Sequence, residues 1–182
     1  SNLNVSTTES NKNHRILVET GIEYIGNRKY KNEVWWFFVK RDFLQRTGIR
    51  LIEDRWMEDA IFTAQIFLKS SRIGHIDIDV HRHVVRPNSA MTSIEENQSL
   101  RVIRDIANAA TVFESLIKSV DASSLGYHNC LKRLKTKQHS FVFFMMLRML
   151  QSSIKLEEIK SLISEMKKVQ AYPLHFSMSN DY

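Results

Sequence analysis

The apolar positions in the second half of the chain recur at helical spacing. Ser93 stands three residues before Glu96, which is the arrangement of a capping box, and the apolar stripe that follows consists of Val102, Ile103, Ile106, Ala109, Ala110, Phe113, Leu116 and Ile117. This pattern predicts one unbroken amphipathic helix over about residues 94–119. Two or three further helices are predicted, over roughly residues 123–135, 138–151 and 155–170.

The segment Phe141–Met149 differs from these helices because it is apolar on nearly every face. A helix of this kind has no single side to turn toward water, so we expect it to be the central helix of a bundle or a docking surface. Its longest unbroken apolar run, Phe141–Leu147, is far shorter than the roughly 20 residues that cross a bilayer. We therefore expect a soluble protein or a soluble fragment.

The first half of the chain predicts shorter elements. Residues 1–13 are polar, and we expect them to be poorly ordered. Thr20-Gly21 divides the next apolar stretch into a strand and a short helix, and Gly48 is a suitable C-terminal cap for a helix that ends there. A helix over 57–70 and a strand over 73–85 follow, and Pro87 stops the strand.

Composition places the chain among ordinary globular proteins. It has 182 residues, of which 43% are hydrophobic and 25% are charged. Its one cysteine, Cys130, excludes an internal disulfide framework and a cysteine-based zinc site. No secretory signal pattern opens the chain, and a cytoplasmic location is the expectation.

The formal net charge of +6 allows anionic partners. Solvated helix faces account for most of the basic residues, and no nucleic-acid-binding signature accompanies them. The basic cluster at 132–137, beside the apolar segment at 141–149, leaves a peripheral contact with the inner face of a membrane as an open alternative.

The order of motifs between residues 20 and 90 is more specific than any one of them. The motifs are a tryptophan at position 35 or 36, Lys40-Arg41-Asp42-Phe43-Leu44, Ile49, Glu58-Asp59-Ala60-Ile61-Phe62, Arg72-Ile73, and Arg86 with Ser89. In this order they resemble the second half of family 2 glycosyltransferases, which are inverting enzymes with the glycosyltransferase-A fold. The resemblance also implies that Val34–Leu44 is mostly helical.

The same resemblance implies roles for individual residues. Asp59 matches the general base that takes the proton of the acceptor hydroxyl, and Glu58 supports the turn or contacts the acceptor. Trp35 or Trp36 would stack on a sugar, while Arg86, near Ser89, would lie beside the pyrophosphate of the nucleotide sugar.

The partners implied are a nucleotide diphosphate sugar, a glycan or lipid-linked acceptor, and a nucleotide-binding half that precedes this chain. That half would also supply the Asp-x-Asp ligands of a Mg²⁺ or Mn²⁺ ion, so no metal ligand is assigned within this chain.

Each of these residues also has a plain structural interpretation. Two carboxylates at a helix start are favoured by the backbone dipole, and tryptophans more often belong to a core. Asp77 and Asp79 alternate with apolar residues as on a solvated strand face. They share that face with His81 and His83, but one flat strand rarely encloses a metal ion.

The predicted fold class is therefore α+β and predominantly helical. Residues 1–13 form a tail, 14–90 form the acceptor-side part of a glycosyltransferase-A domain with a small sheet, and 91–182 form a C-terminal helical region. The competing function is a non-catalytic binding or scaffold module, whose basic face would meet a membrane or nucleic acid.

We predict that the isolated 182-residue chain transfers no sugar, because the resemblance places the nucleotide and metal ligands outside it. We also expect an exposed apolar surface and self-association into a homo-oligomer. The measurement is transfer from nucleotide sugars by the purified chain in the presence of Mn²⁺. Turnover of any of these donors would overturn the fragment interpretation.

Overall fold

The computed structural model describes residues 16–76 and 96–175, with the side chains of 96–99 excepted. Several predictions lie outside these residues: the poorly ordered tail at 1–13, the capping serine Ser93, the strand beyond residue 76 with its Asp77, Asp79, His81 and His83, and the candidate ligands Arg86 and Ser89.

The described part of the chain is mostly helical with a small two-stranded antiparallel sheet, as the sequence predicted. Its elements in chain order are β1 (Leu17–Glu19), α1 (Gly21–Asn27), α2 (Arg41–Thr47), α3 (Glu58–Lys69), β2 (Ile73–His75), α4 (Glu96–Lys118), α5 (Tyr127–Leu150) and α6 (Leu156–Lys168).

Thr20 separates β1 from α1 through a capping box. Its hydroxyl oxygen accepts a hydrogen bond from the Glu23 amide at 3.3 Å, and the Glu23 carboxylate accepts one from the Thr20 amide at 2.8 Å. The predicted break at Thr20-Gly21 is confirmed. β1 then pairs antiparallel with β2, with Val18 opposite Gly74.

Gly21 allows α1 to contact the end of α3. Its amide donates to the Ser70 carbonyl at 2.8 Å, and a Cβ at this position would lie 1.5 Å from the Phe67 carbonyl oxygen. On the other side of the same contact, the Tyr24 ring meets the Phe67 ring edge-on, with the centroids 5.3 Å apart. A side chain at position 21 would force the two helices apart.

Helices α4 and α5 form the centre of the core. The predicted apolar stripe of α4 is buried from Val102 to Phe113 and partly buried at Leu116 and Ile117, and the rings of Phe113 and Phe141 meet edge-on at 4.9 Å. Lys135 of α5 reaches Glu114 of α4 at 3.1 Å, which fits an antiparallel pair joined by a short connection. Helix α1 packs on the N-terminal half of α5, where Arg133 donates to the Gly26 carbonyl at 3.0 Å.

Three further helices agree with the sequence within a few residues. Helix α3 spans 58–69 against a predicted 57–70, α6 spans 156–168 against 155–170, and α4 runs unbroken to Lys118. Gly48 is in the left-handed conformation, with φ of 66°, and its amide donates to the Leu44 carbonyl as a C-terminal cap.

Two predictions were wrong. Helices predicted at 123–135 and 138–151 are the single helix α5, because no glycine or proline interrupts residues 127–150. Residues 34–40 are not helical, and α2 begins only at Arg41. The rings of Trp36 and Phe37 instead pack edge-on against Phe67 of α3, a contact between distant residues that outweighs the local sequence pattern.

Helix α5 has a central position in the fold, as predicted for the Phe141–Met149 segment, and it also exposes apolar side chains. Phe141, Val142, Met145 and Met149 are buried, and the helix contacts both α4 and α1. Phe143, Phe144, Leu147 and Leu150 are exposed on its other side. Within the described residues, no helix is both long and apolar enough to cross a membrane.

We predict that Phe113→Ala lowers the free energy of unfolding by about 3–5 kcal/mol, because it leaves a cavity in the fully buried contact between α4 and α5. The matched control is Phe144→Ala on α5, where the side chain is 57% exposed and the expected loss is below about 1 kcal/mol. Urea unfolding measured by circular dichroism compares them. Equal losses would contradict the assigned core.

Candidate functional site

The Glu58-Asp59 pair occupies the first turn of α3, immediately after an unusual turn. Met57, the residue before the helix, has φ of 66° and offers no side-chain cap, and Asp54 three residues earlier has φ of 54°. Left-handed backbone at residues other than glycine costs free energy. The surrounding structure must therefore hold this turn in place.

Asp105 of α4 holds the turn from the core side. Its carboxylate is buried and accepts hydrogen bonds from the Trp56 amide at 3.1 Å and from the Arg55 guanidinium at 3.3 Å. Arg101, one helical turn before Asp105, donates to the Asp54 carbonyl and lies 4.0 Å from the Asp105 carboxylate. The start of α3 is thereby fixed to α4 by side chains at both ends of the turn.

The two carboxylates of the pair have different surroundings, although both are partly exposed. Burial raises the pKa of Glu58, and the negative charges of Asp59 and Asp105 raise it further, against a backbone hydrogen bond that lowers it. Asp59 Oδ1 accepts from the Ala60 amide at 2.7 Å. Adjacent helical positions point about 100° apart, so the pair can contact two different groups of a ligand.

The structure places the two tryptophans in different environments. The Trp36 ring meets Phe67 at 5.7 Å, and its Nε1 donates to the Lys31 carbonyl at 3.3 Å. Trp35 is exposed, with the Lys31 ammonium 5.0 Å from the ring centroid. Trp36 thus belongs to the packing on α3, and Trp35 is the more exposed of the two tryptophans.

Helix α3 carries both the acidic pair and the aromatic segment. Thr63 donates to the Asn32 carbonyl at 2.7 Å, which fixes the start of the segment at 31–40 on this helix. Phe67 lies eight residues beyond Asp59, a distance of about 12 Å along the axis. The predicted base and the predicted sugar platform therefore share one rigid support.

Lys137 of α5 holds the same segment from the opposite side. Its ammonium donates to the Asn32 side-chain oxygen at 2.6 Å and to the Tyr30 carbonyl at 3.3 Å, and it lies 4.1 Å from the centre of the Tyr30 ring. Burial lowers the pKa of Lys137 to about 8. These contacts give the lysine a structural anchor role between α5 and residues 30–32.

Sequence reasoning did not identify Asp105 or Lys137. Asp105 could have been noticed as a charge within the buried stripe of α4, between Ile103 and Ile106. Lys137 gave no comparable signal, because it stands in a basic run that suggests solvent. Within 16–76 and 96–175, no group of three His, Cys, Asp or Glu side chains could hold a metal ion.

Comparisons of the chain with protein-family models, with curated protein sequences and with solved structures gave no match. The order of motifs in the sequence and the geometry at the start of α3 therefore carry the functional interpretation.

We predict that the Glu58 carboxyl titrates above the usual glutamate pKa of about 4.3, and that Asp59→Asn lowers its pKa by removing a neighbouring negative charge. A raised folded-state pKa means that ionisation of Glu58 destabilises the fold. This contribution favours folding below the unfolded-state pKa and is lost as the pH rises through the folded-state value.

The measurement is a carbon-13 NMR titration of the side-chain carboxyl groups. Glu58→Gln is the control for stability. Glutamine does not ionise, so the stability of this variant relative to the native chain should increase as the pH rises from acid to neutral. A Glu58 pKa at or below the usual value would contradict the described burial.

Proposed function

We propose that the chain is the acceptor-side half of an inverting glycosyltransferase of the family 2 kind, with Asp59 as the general base. The observation that carries this proposal is the position of Glu58-Asp59. The pair is partly exposed in the first helical turn of α3. The residues just before this helix are held by buried Asp105, which accepts a hydrogen bond from the Trp56 amide. Catalytic groups need such support, because small displacements of a base cost rate.

The proposed reaction is a single displacement. The acceptor hydroxyl oxygen attacks the anomeric carbon of the sugar, the bond to the nucleoside diphosphate breaks, and Asp59 takes the hydroxyl proton. Asp59 Oδ1 is bound by the Ala60 amide, so Oδ2 is the oxygen that accepts the proton. In this proposal the ligands of a Mg²⁺ or Mn²⁺ ion would come from a nucleotide-binding half outside this chain, and the ion would neutralise charge on the departing diphosphate.

Neighbouring residues have supporting roles in this proposal. Glu58 contacts the acceptor, and its raised pKa gives it a larger protonated fraction than an ordinary glutamate in weakly acidic conditions. Trp35 presents its exposed ring to a sugar, while Trp36 holds the segment on α3. Arg86 and Ser89, which lie outside the described residues, remain predicted contacts of the pyrophosphate.

The partners of this proposal are a nucleotide diphosphate sugar and a glycan or lipid-linked acceptor. The competing scaffold function can be distinguished by substitution at position 59, because a scaffold does not need a carboxylate there that accepts a proton.

We predict that Asp59→Asn lowers sugar transfer by a factor on the order of 10²–10⁴, the usual contribution of a general base, with little change in stability. Asparagine keeps the shape of the side chain and its contact with the Ala60 amide but cannot take the proton. The assay follows transfer of labelled sugar from UDP- and GDP-sugars with Mn²⁺. It uses the gene product as its native host expresses it, because the isolated 182-residue chain is expected to be inactive.

Asp42→Asn is the matched control, because Asp42 is also an aspartate in the first turn of a helix. It should retain full activity. Full activity in Asp59→Asn, with Glu58→Gln equally active, would show that the acidic pair is structural and would remove the basis of the proposal.

A further inference from the structure

The last two turns of α5 expose a continuous apolar patch. Its members are Phe143, Phe144, Leu147 and Leu150, hereafter the α5 patch, and the most exposed of them are Phe144 at 57% and Leu150 at 84%. Positions 143, 147 and 150 follow the i, i+4, i+7 spacing of one helix face, and 144 adjoins it. Lys155 and Leu156, at the start of α6, are also exposed.

The charges of α5 are all of one sign. The helix spans Tyr127–Leu150 and contains the basic residues Lys132, Arg133, Lys135, Lys137 and Arg148, with no aspartate or glutamate. The next acidic residues along the chain are Glu157 and Glu158, and Glu158 is paired with Arg104 at 2.5 Å. The apolar patch is therefore flanked by positive charge on its own helix.

The basic residues of α5 divide into two groups by their contacts. Arg133, Lys135 and Lys137 bind the Gly26 carbonyl, the Glu114 carboxylate and the Asn32 side chain. Lys132 and Arg148, by contrast, have no hydrogen bond or ion pair from their charged groups to any residue in the described ranges, and neither does Lys155. Of these three cations, Arg148 and Lys155 stand next to the α5 patch in the sequence, and within the described residues their charged groups are available to an external anion.

We propose that the α5 patch binds the surface of an anionic lipid bilayer. Phe143, Phe144, Leu147 and Leu150 would enter the boundary between headgroups and acyl chains, and Arg148 and Lys155 would contact the lipid phosphates. An apolar stripe with basic flanks is the composition of helices that lie in a membrane interface. This proposal does not depend on the glycosyltransferase function.

The charge distribution favours a bilayer over a second copy of the chain. A two-fold symmetric dimer pairs a face with the same face of its partner. Because α5 has no acidic residue, a dimer that pairs α5 with α5 would bring Arg148 toward the basic residues of the partner helix, and the nearest acidic residue in the sequence is Glu157 of α6. An anionic membrane provides both an apolar phase and complementary charge.

The test is co-sedimentation of the full chain with vesicles of phosphatidylcholine alone or with added phosphatidylglycerol. We expect binding to the anionic vesicles, weakening at about 1 M salt, where the Debye length falls to about 3 Å. The double variant Phe144→Gln with Leu150→Gln should weaken binding at least about tenfold, through the lost apolar area. Arg148→Gln with Lys155→Gln should weaken it about fivefold for each charge.

The chain offers a matched control for the apolar variant. Phe38 is 96% exposed in the segment before α2, and Leu125 is 77% exposed before the opposite end of α5. Replacing both by Gln removes the same residue types from the surface without touching the patch, so binding should stay within about twofold of the native chain. Circular dichroism of every variant checks that the fold is retained.

Three outcomes would each overturn the proposal. The first is a native chain that remains in solution with anionic vesicles at low salt. The second is an equal loss of binding in the patch and control variants. The third is a concentration-dependent dimer that the patch variant abolishes, since the face would then be an interface between copies of the chain.

Discussion

The packing of α4 against α5 is the interaction on which the other elements depend. Phe113 and Phe141 meet at its centre, and α1, α3 and α6 each pack against one of the two long helices. Polar groups fix how the pair aligns: Glu114 is buried between Lys118, Lys135 and the Gln138 amide. Burial alone would raise the pKa of Glu114, but these partners lower it below its usual value. A shifted alignment would bury that carboxylate without them, at a large cost.

The candidate site is connected to this centre by one buried carboxylate. Asp105 lies on α4, two turns before Phe113, and its hydrogen bond to the Trp56 amide positions the first turn of α3. On the opposite side, Lys137 of α5 holds the segment that carries Trp35 and Trp36. The acidic pair and the aromatic segment thus take their positions from the two central helices, which are the least deformable part of a packed domain.

Sequence reasoning succeeded where the determinants are local. The stripe of α4, the break at Thr20-Gly21 and the cap at Gly48 each depend on residues within a few positions of one another. It failed where distant residues decide. Residues 34–40 are irregular because the rings of Trp36 and Phe37 contact Phe67. The sequence predicted two helices in place of α5 because a helix that is apolar or basic on every side shows no clear hydrophobic period. Asp105 binds the Trp56 amide, 49 residues away, and Lys137 binds Asn32, 105 residues away. A local sequence pattern cannot predict contacts over such separations.

The same contacts decide which substitutions can separate chemistry from folding. Asp105 and Lys137 hold the frame of the site, so a loss of activity on changing either would follow from a displaced turn and would assign no chemical role. Asp59 is partly exposed, and its described side-chain contact is with the amide of the next residue, which asparagine retains. Phe144 and Leu150 add little to the core because they are largely exposed. Asp59, Phe144 and Leu150 can therefore be replaced with little effect on folding. A loss of transfer or of membrane binding in these variants can then be assigned to the proposed function and not to misfolding.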